Sequence, residues 1–237
     1  MGSVLNMSQR YKNADLGKRF AAWILDNLLI VVLIVGCCVS MSRITGYEQN
    51  NQALDAVFAK YEAQYGVTFD VSEEAYLAMT EAEQANYDAA YEALSTDPEA
   101  LQGYGRMMGL TMIIASTSVL LPLFVMEFLL PLCLGNGQTL GKKVFSLSVV
   151  QKSFAPVSAK HLFFRTILGK YAIEAMIPLF IGLLAFWGAV SLGMLGILLA
   201  LVCAQFLCVV MGKNRTAIHD LIASTRVVDT GSLVIEA

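Results

Sequence analysis

Three long apolar stretches alternate with polar segments along this chain of 237 residues. The first covers residues 20–42 and the second residues 106–134, and each can cross a bilayer, which needs about 20 apolar residues. The third, residues 172–211, is too long for a single crossing at about 1.5 Å of helix per residue. It predicts two helices joined by a turn between Gly188 and Gly193. The pattern therefore predicts four transmembrane helices.

The overall composition also indicates a membrane protein. Hydrophobic residues make up 57% of the chain, charged residues only 15%, and the mean hydropathy is +0.61. A soluble domain carries roughly 25% charged residues. The five cysteines lie in apolar stretches without metal-ligand spacing, so we expect no disulfide framework, no metal and no cofactor.

Charge is strongly segregated between the polar segments. Residues 43–105 contain twelve acidic and two basic residues, whereas residues 1–19 and 135–171 carry a net positive charge and residues 212–237 carry the bases Lys213, Arg215 and Arg226. Basic loops stay in the cytoplasm by the positive-inside rule. We therefore expect both termini to be cytoplasmic, the acidic segment to lie outside, and the basic face to attract anionic lipid. The distribution gives no indication of nucleic-acid binding.

The acidic segment 43–105 has the pattern of short helices. A first helix is expected to stop at Gly66 and a second to be capped by Ser72. Thr80 and Glu83 have the spacing of a capping box, in which each side chain bonds the other residue's backbone N–H. Pro98 is expected at the first position of a further helix. The segment is thus predicted to form a small helical extracytoplasmic insertion.

The basic segments contain two candidate strands, residues 144–150 and 225–228, because both are short and rich in β-branched residues. We expect them to pair as a minor β-hairpin-like sheet at the cytoplasmic surface. Residues 158–170 are expected to form an interfacial helix, and the lysines at 142 and 143 to lie at the level of the lipid headgroups. The predicted fold is an all-α membrane protein, a four-helix transmembrane bundle with this sheet and the helical insertion.

Asp26 lies inside the first apolar stretch, where an unpaired carboxylate costs a few kcal/mol on insertion scales, about 2.5–3.5. Arg19 precedes it by seven residues, so both can lie on one helix face. Two interpretations stay open. Asp26 carries protons and cations, or it forms a structural ion pair with Arg19 or with an arginine of another segment.

Three further polar residues interrupt the other apolar stretches. Glu127 lies between two prolines that free backbone carbonyls, so it is a candidate coordinating group or else a helix-packing acid. Glu174 begins the third helix and can be a site residue or an interfacial acid. Gln205 is a lone amide that bonds either another helix or a substrate.

His219 and Asp220 form an adjacent pair after the last apolar stretch. Asp220 is expected to tie the terminal helix to Arg165, Arg19 or a helix N-terminus, or to act with His219 at a cytoplasmic proton entry. The sequence contains no nucleophile–base pair and no ligand cluster, so it does not indicate an enzyme.

Four motifs, in this order, resemble the RDD family of bacterial membrane proteins. They are RFAAWILD (19–26), GQTLGKKVFSLSVV (137–150), FFRTILGK (163–170) and RTAIHDLIASTRVV (215–228). The family is named for an arginine and two aspartates, which the resemblance places at Arg19, Asp26 and Asp220. Segment 43–105 has no counterpart in these motifs and resembles an insertion.

The resemblance implies an inner-membrane location and a suspected transport role, and some family members are considered Na⁺(Li⁺)/H⁺ antiporters. The expected function is therefore secondary transport, with Na⁺, Li⁺ and H⁺ as the exchanged ions. The alternative is a non-transporting scaffold or assembly partner that docks through its acidic outer segment and basic cytoplasmic face. Four spans are few for a transporter, so a homo-oligomer is also expected.

Overall fold

The computed structural model describes residues 11–212 and 216–233. Cys38–Thr117 form one compact unit, and Met1–Cys37 with Ser118–Ala237 form the other. The described elements are, in chain order, β1 (Tyr11–Asn13), α1 (Leu16–Ile44), α2 (Tyr47–Tyr65), α3 (Glu73–Leu77), α4 (Glu81–Thr96), α5 (Pro98–Leu134), α6 (Leu140–Val144), β2 (Leu147–Gln151), α7 (Ala159–Phe186), α8 (Leu192–Met211), α9 (Ile218–Ile222) and β3 (Thr225–Leu233).

Helices α1, α5, α7 and α8 are each long and apolar enough to cross a membrane. The predicted fold class, an all-α membrane protein with a small sheet, is confirmed. The turn between α7 and α8 falls at residues 187–191, close to the predicted glycines. Parts of α5 and α7, Val125–Leu129 and Arg165–Met176, have the wider winding of a π-helix. Such windings are frequent at functional sites.

Three of the apolar helices share a core. Ile30 of α1 packs with Leu123 and Met126 of α5, and Tyr171 and Ala175 of α7 cover this cluster. Helix α8 contributes no buried residue. Its side chains are therefore available to lipid or to another protein.

The small sheet differs from the predicted pair of strands. Strands β2 and β3 do pair, antiparallel, with Val149 opposite Val227. The sequence missed β1, which pairs with the other edge of β3, so the sheet has three strands in the order β1-β3-β2. Residues 140–144, which include the predicted start of β2, are helical because Thr139 caps α6 by accepting from the backbone N–H of Lys142.

Residues 158–170 do not form a separate interfacial helix. They are the first half of α7, which begins at Ala159 and continues into the third apolar stretch. The sequence prediction began this helix at residue 172 because Arg165 and Lys170 interrupt the apolar pattern. In the structure both side chains are paired with acids, which removes that objection.

The unit Cys38–Thr117 is built on the predicted short helices. Val57 of α2, Leu94 of α4 and Ala100 of α5 form its core. The capping box at Thr80 and Glu83 is present, and Ser72 caps α3. The Tyr61 hydroxyl donates to Asp97 at 2.6 Å, and this bond raises the pKa of Tyr61. Helix α5 begins at Pro98, ahead of the predicted boundary at residue 106.

Candidate functional site

Within the described part of the chain, nine ionisable side chains from α1, α5, α6, α7 and α9 meet in one connected network, which we call the ion cluster. It contains four acids, four permanent or potential cations and one histidine, and ion pairs and hydrogen bonds join its members without a break. Its residues are Arg19, Asp26, Glu127, Lys142, Arg165, Lys170, Glu174, His219 and Asp220. With the histidine neutral, the formal charges sum to zero.

Asp26 is buried and is held by the start of α6. The Thr139 hydroxyl donates to Asp26 Oδ2 at 2.5 Å, and the backbone N–H of Gly141 donates to Asp26 Oδ1 at 2.7 Å. The nearest cation is Lys142, whose Nζ lies 3.7 Å from Oδ2. The expected pairing of Asp26 with Arg19, or with another arginine, is therefore wrong for the described residues. A lysine from the loop between α5 and β2 takes that place.

Lys142 is only 8% exposed, so its side chain does not face the lipid headgroups as expected. Its Nζ donates to Thr139 Oγ1 at 3.0 Å and lies 3.8 Å from Glu127 Oε2. Burial lowers the pKa of Lys142 to about 8, and the neighbouring Lys170 and Arg165 act in the same direction, against the two carboxylates. The adjacent Lys143 is exposed. Of the two lysines, only Lys142 belongs to the cluster.

Glu127 lies in the π-helical turns of α5 and is 1% exposed. Arg165 Nη1 donates to Glu127 Oε2 at 3.3 Å, and Lys170 Nζ donates to Oε1. Its backbone carbonyl accepts from the Thr166 hydroxyl at 3.1 Å. Glu127 is therefore the acid to which three cations converge, since Lys142 is also within ion-pair distance.

Arg165 and Asp220 form the most deeply buried pair of the cluster. Arg165 Nε donates to Asp220 Oδ1 at 3.0 Å, and Arg19 Nη2 lies 3.5 Å from Oδ2. The backbone N–H of Ala217, at the start of α9, also donates to Oδ2 at 3.4 Å. Three alternative partners were predicted for Asp220, and the structure places it against all three. Burial alone would raise the pKa of Asp220, but the charges of Arg165 and Arg19 lower it well below its usual range.

His219 lies between a cation and an anion. Arg165 Nη2 lies 3.0 Å from its Nε2, and because a guanidinium only donates, Nε2 must accept. The proton then sits on Nδ1, which donates to Glu174 at 2.8 Å. This arrangement needs a neutral ring, and burial correspondingly lowers the pKa of His219.

Gln205 connects α8 to the cluster. Its Oε1 accepts from the backbone N–H of Ile218 at 3.0 Å, so the amide fixes the start of α9. This contact favours the helix-bonding interpretation of Gln205. Through it, all four apolar helices reach the site.

A cavity of about 780 Å³ lies against the cluster. Asp26, Glu127 and Lys142 are among its polar lining, and Gln205 lies on the side of α8. The rest of its lining is largely apolar and includes Trp23 of α1 and residues of α8. The charged groups therefore border an open volume and are not sealed in a close-packed core.

Sequence analysis predicted seven of the nine cluster residues as site residues but did not include Lys142 or Lys170. It also did not include Thr139 and Gly141, which hydrogen-bond to Asp26. A Thr followed two residues later by Gly at the start of a short helix was one available signal, since it leaves backbone N–H groups free for an anion. For Lys170, the available signal was the hydropathy of the third apolar stretch. The helix Ala159–Phe186 is still apolar enough to be a candidate span although it contains Lys170. Among the described residues, no group of three or more His, Cys, Asp or Glu could hold a metal ion.

The apolar helices and their buried ion cluster define a multi-pass membrane protein. A model of the RDD family matches residues 13–224, which covers most of the chain. The chain belongs to the RDD family. No curated protein and no solved structure matches it.

Proposed function

We propose that this protein is a secondary transporter that exchanges Na⁺ or Li⁺ for H⁺ across the cell membrane. The observation that carries the proposal is the position of Lys142, a buried amine between the carboxylates of Asp26 and Glu127 and beside a cavity. An exchanger needs one site where a proton and a metal cation exclude each other. A lysine whose pKa is lowered to about 8 and two carboxylates supply such a site.

The exchange conserves charge. When the Lys142 ammonium loses its proton, the cluster carries one negative charge, and a Na⁺ beside Asp26 restores neutrality. Protonation of Lys142 then expels the cation. Each cycle moves one H⁺ against one Na⁺, and the net charge of the buried site is the same in both bound states.

The acids tolerate this cycle because each keeps other partners. Without the lysine proton, Asp26 still accepts from Thr139 and Gly141, and Glu127 still pairs with Arg165 and Lys170. Carboxylate and hydroxyl oxygens are suitable ligands for a hard cation. The π-helical winding of α5 at Glu127 fits the frequent occurrence of such turns at functional sites.

We further infer that both termini and the sheet lie in the cytoplasm. This inference rests on the lysines and arginines of residues 1–19, 135–171 and 212–237. The accessible surface of α8 supports a homo-oligomer, in which a second copy covers part of that helix. Anionic lipid at the basic face remains part of this proposal.

The scaffold alternative is favoured by a different observation. Cys38–Thr117 form a compact unit of their own with many exposed acids, which suits a docking module outside the membrane. A scaffold needs no exchange at Lys142, so a transport assay separates the two functions.

The test is proton flux in liposomes that contain the purified protein and a pH-sensitive dye. Addition of Na⁺ or Li⁺ outside should drive H⁺ out of the vesicles, and Asp26→Asn should remove this response. Asp70→Asn, a change at an exposed acid of the outer segment, is the matched control and should keep it. Unchanged flux in Asp26→Asn contradicts the mechanism, and absence of flux in the wild type favours the scaffold.

A further inference from the structure

The cavity beside the ion cluster is open to the side, between α1 and α8. Phe20 and Trp23 of α1 and Phe206 of α8 belong to its lining, yet each of these side chains is more than half exposed. Both helices are candidate membrane spans, so exposed apolar side chains on them face the hydrocarbon of the bilayer. A molecule can therefore enter the cavity directly from the lipid.

The cavity has the size and the position of a lipid site. It measures about 780 Å³, within the ~300–1,000 Å³ of pockets that hold small organic molecules. Its lining includes Leu16, the first residue of α1, and Val210, the last residue but one of α8. From these helix ends the lining continues along α1 to Ile30 and along α8 to Leu201. A headgroup at the helix ends and an acyl chain between the helices match this course.

The charged part of the lining carries both signs. Among the described residues it contains four cations and three acids, and Asp220 behind them completes the neutral ion cluster. The side chains of Arg19 and Lys170 are each 13% exposed and that of Glu174 is 22% exposed, whereas that of Asp26 is only 4% exposed. An incoming head therefore meets two cations and one acid before it meets the deeper carboxylates.

These three groups have the capacity for further hydrogen bonds. Lys170 donates to Glu127, and an ammonium has three N–H groups. Glu174 accepts from the ring and from the backbone N–H of His219, and a carboxylate offers about four acceptor sites. The guanidinium of Arg19 has the planar donor arrangement that matches a phosphate. A phosphate therefore suits Arg19 and Lys170, and an ammonium suits Glu174.

The neutrality of the ion cluster favours a head that carries both charges. A head of one sign would add an uncompensated charge to a buried site whose own charges already balance, which is unfavourable. A zwitterionic head adds no net charge. Its ammonium must also carry N–H groups, because a carboxylate such as Glu174 accepts hydrogen bonds.

We propose that the cavity binds one phospholipid with a zwitterionic, amine-bearing head, a phosphatidylethanolamine that enters from the bilayer between α1 and α8. Its phosphate lies at Arg19 and Lys170, its ammonium at Glu174, and an acyl chain along Trp23 and the facing side of α8. The bound lipid covers the open side of the cavity and separates the ion cluster from the hydrocarbon. The site does not include Asp26, so it does not rest on ion exchange.

Native mass spectrometry of the full chain in detergent can test this site, because it counts bound lipids and identifies each by its mass. The protein is titrated with four lipids that carry the same acyl chains. Phosphatidylethanolamine should bind with an apparent Kd about tenfold below the others, the effect of about one additional charged contact. Phosphatidylcholine has no N–H donor in its head, phosphatidylglycerol has no ammonium, and diacylglycerol has no phosphate.

The variant Glu174→Gln tests the recognition of the headgroup. Loss of the carboxylate should weaken phosphatidylethanolamine binding about tenfold. It should not weaken phosphatidylglycerol binding, because a charge that repels this anionic lipid has been removed. The opposite responses of the two lipids distinguish a lost ammonium contact from a damaged fold, which would weaken both.

A change in the apolar wall tests the position of the acyl chain independently of the charged groups. Helix α8 has no buried residue, so a larger side chain on it does not disturb a core. Leu201→Trp narrows the cavity and should weaken phosphatidylethanolamine binding about tenfold. Leu199→Trp is the matched control on an exposed position of α8 outside the lining, and it should keep the wild-type affinity.

Three results would overturn the proposal: equal affinities for the four lipids, tighter binding of phosphatidylglycerol than of phosphatidylethanolamine, or equal affinities of Leu201→Trp and Leu199→Trp for phosphatidylethanolamine. The flux assay keeps this proposal separate from ion exchange. Selective binding of phosphatidylethanolamine without Na⁺-driven flux retains the lipid site and removes the exchange function. Flux without lipid selectivity removes the lipid site and leaves the exchange function.

Discussion

The Lys142 amine lies 3.7 Å from the carboxylate of Asp26, and the Thr139 hydroxyl bridges the two groups. Thr139 accepts from the lysine and donates to the aspartate, so a continuous hydrogen-bonded path joins base and acid. The contact between Lys142 and Asp26 joins the short helix α6 to the apolar helix α1, which is distant in sequence. Its chemistry depends on a lysine that can lose its proton.

Lys142→Arg should therefore abolish Na⁺-driven proton flux, although it keeps the positive charge. A guanidinium does not deprotonate at accessible pH, since its pKa exceeds about 12. Flux in liposomes gives the measurement. Lys143→Arg, the same change on the exposed neighbour, should leave the flux at the wild-type level. Wild-type exchange in Lys142→Arg would show that the lysine does not carry the proton.

The affinity of the wild-type protein for Na⁺ should depend on pH through the titration of Lys142. Because the pKa of Lys142 is lowered to about 8, its proton is released as the pH rises through that value. The affinity for Na⁺ should therefore be weak at pH 6.5 and should rise to a plateau above about pH 9, since one titration spans about one unit on either side of its pKa. The concentration of Na⁺ that gives half-maximal flux measures it. A profile that is flat from pH 6.5 to 9.5 would be the contrary result.

Gly141→Ala should displace Asp26. A Cβ at this position would overlap the carbonyl oxygen of Ala22 and lie 2.9 Å from Asp26 Cγ. Overpacking of this kind costs about 1–3 kcal/mol, so the melting temperature and the flux should both fall. Gly182→Ala is the control, because nothing lies within 4 Å of a Cβ built there. Equal melting temperatures for the two variants would mean that α1 and α6 are not in this close contact.

Asp220→Asn should destabilise the protein by about 3–5 kcal/mol, the usual cost of removing one partner from a buried ion pair. The carboxylate is fully buried against Arg165 and Arg19, and its replacement leaves a buried guanidinium with reduced compensation. Denaturant-induced unfolding in mild detergent measures the change. Asp70→Asn, at an exposed acid, should stay within about 0.5 kcal/mol of the wild type.

The stability of the protein should decrease as the pH falls below about 6.5, the usual pKa of histidine, in a way that depends on His219. Its pKa in the folded protein is lowered, so in this range the unfolded chain takes up a proton that the folded protein does not. One such proton lowers the free energy of unfolding by up to about 1.4 kcal/mol per pH unit. Thermal unfolding between pH 7.5 and 5 should show a shallower slope for His219→Gln. His161→Gln, at the start of α7, is the matched substitution measured beside it.

The positions of the apolar helices could be predicted from the sequence because hydropathy is a local property. The capping box at Thr80 was predictable for the same reason. Asp26, Glu127 and Asp220 stood out because a charge in or beside an apolar stretch needs a partner. The identity of that partner is a tertiary property, and for this reason Lys142 was assigned to the membrane surface.

The remaining errors share one cause. Strand β1 is three residues long, which is too short to show the alternation of apolar and polar residues that marks a strand. It forms only because β3 offers a free edge. The start of α7 was predicted too late in the sequence. Arg165 and Lys170 were treated as isolated charges, although acids pair with them in the structure. Local patterns describe each segment before its neighbours are present, and these features depend on the neighbours.

The order in which the elements are made has a consequence for biosynthesis. A ribosome produces the chain from its amino end, so Arg165 reaches the translocation machinery before Asp220 has been synthesised. During that interval Glu127 is the acid already made that can meet the guanidinium. The central strand of the sheet, β3, is also the last described element to emerge from the ribosome. Strands β1 and β2 therefore have no partner until β3 is made. A nascent chain halted before Asp220 would hold an uncompensated charge and an unfinished sheet, two features by which cellular proteases could distinguish it from the finished protein.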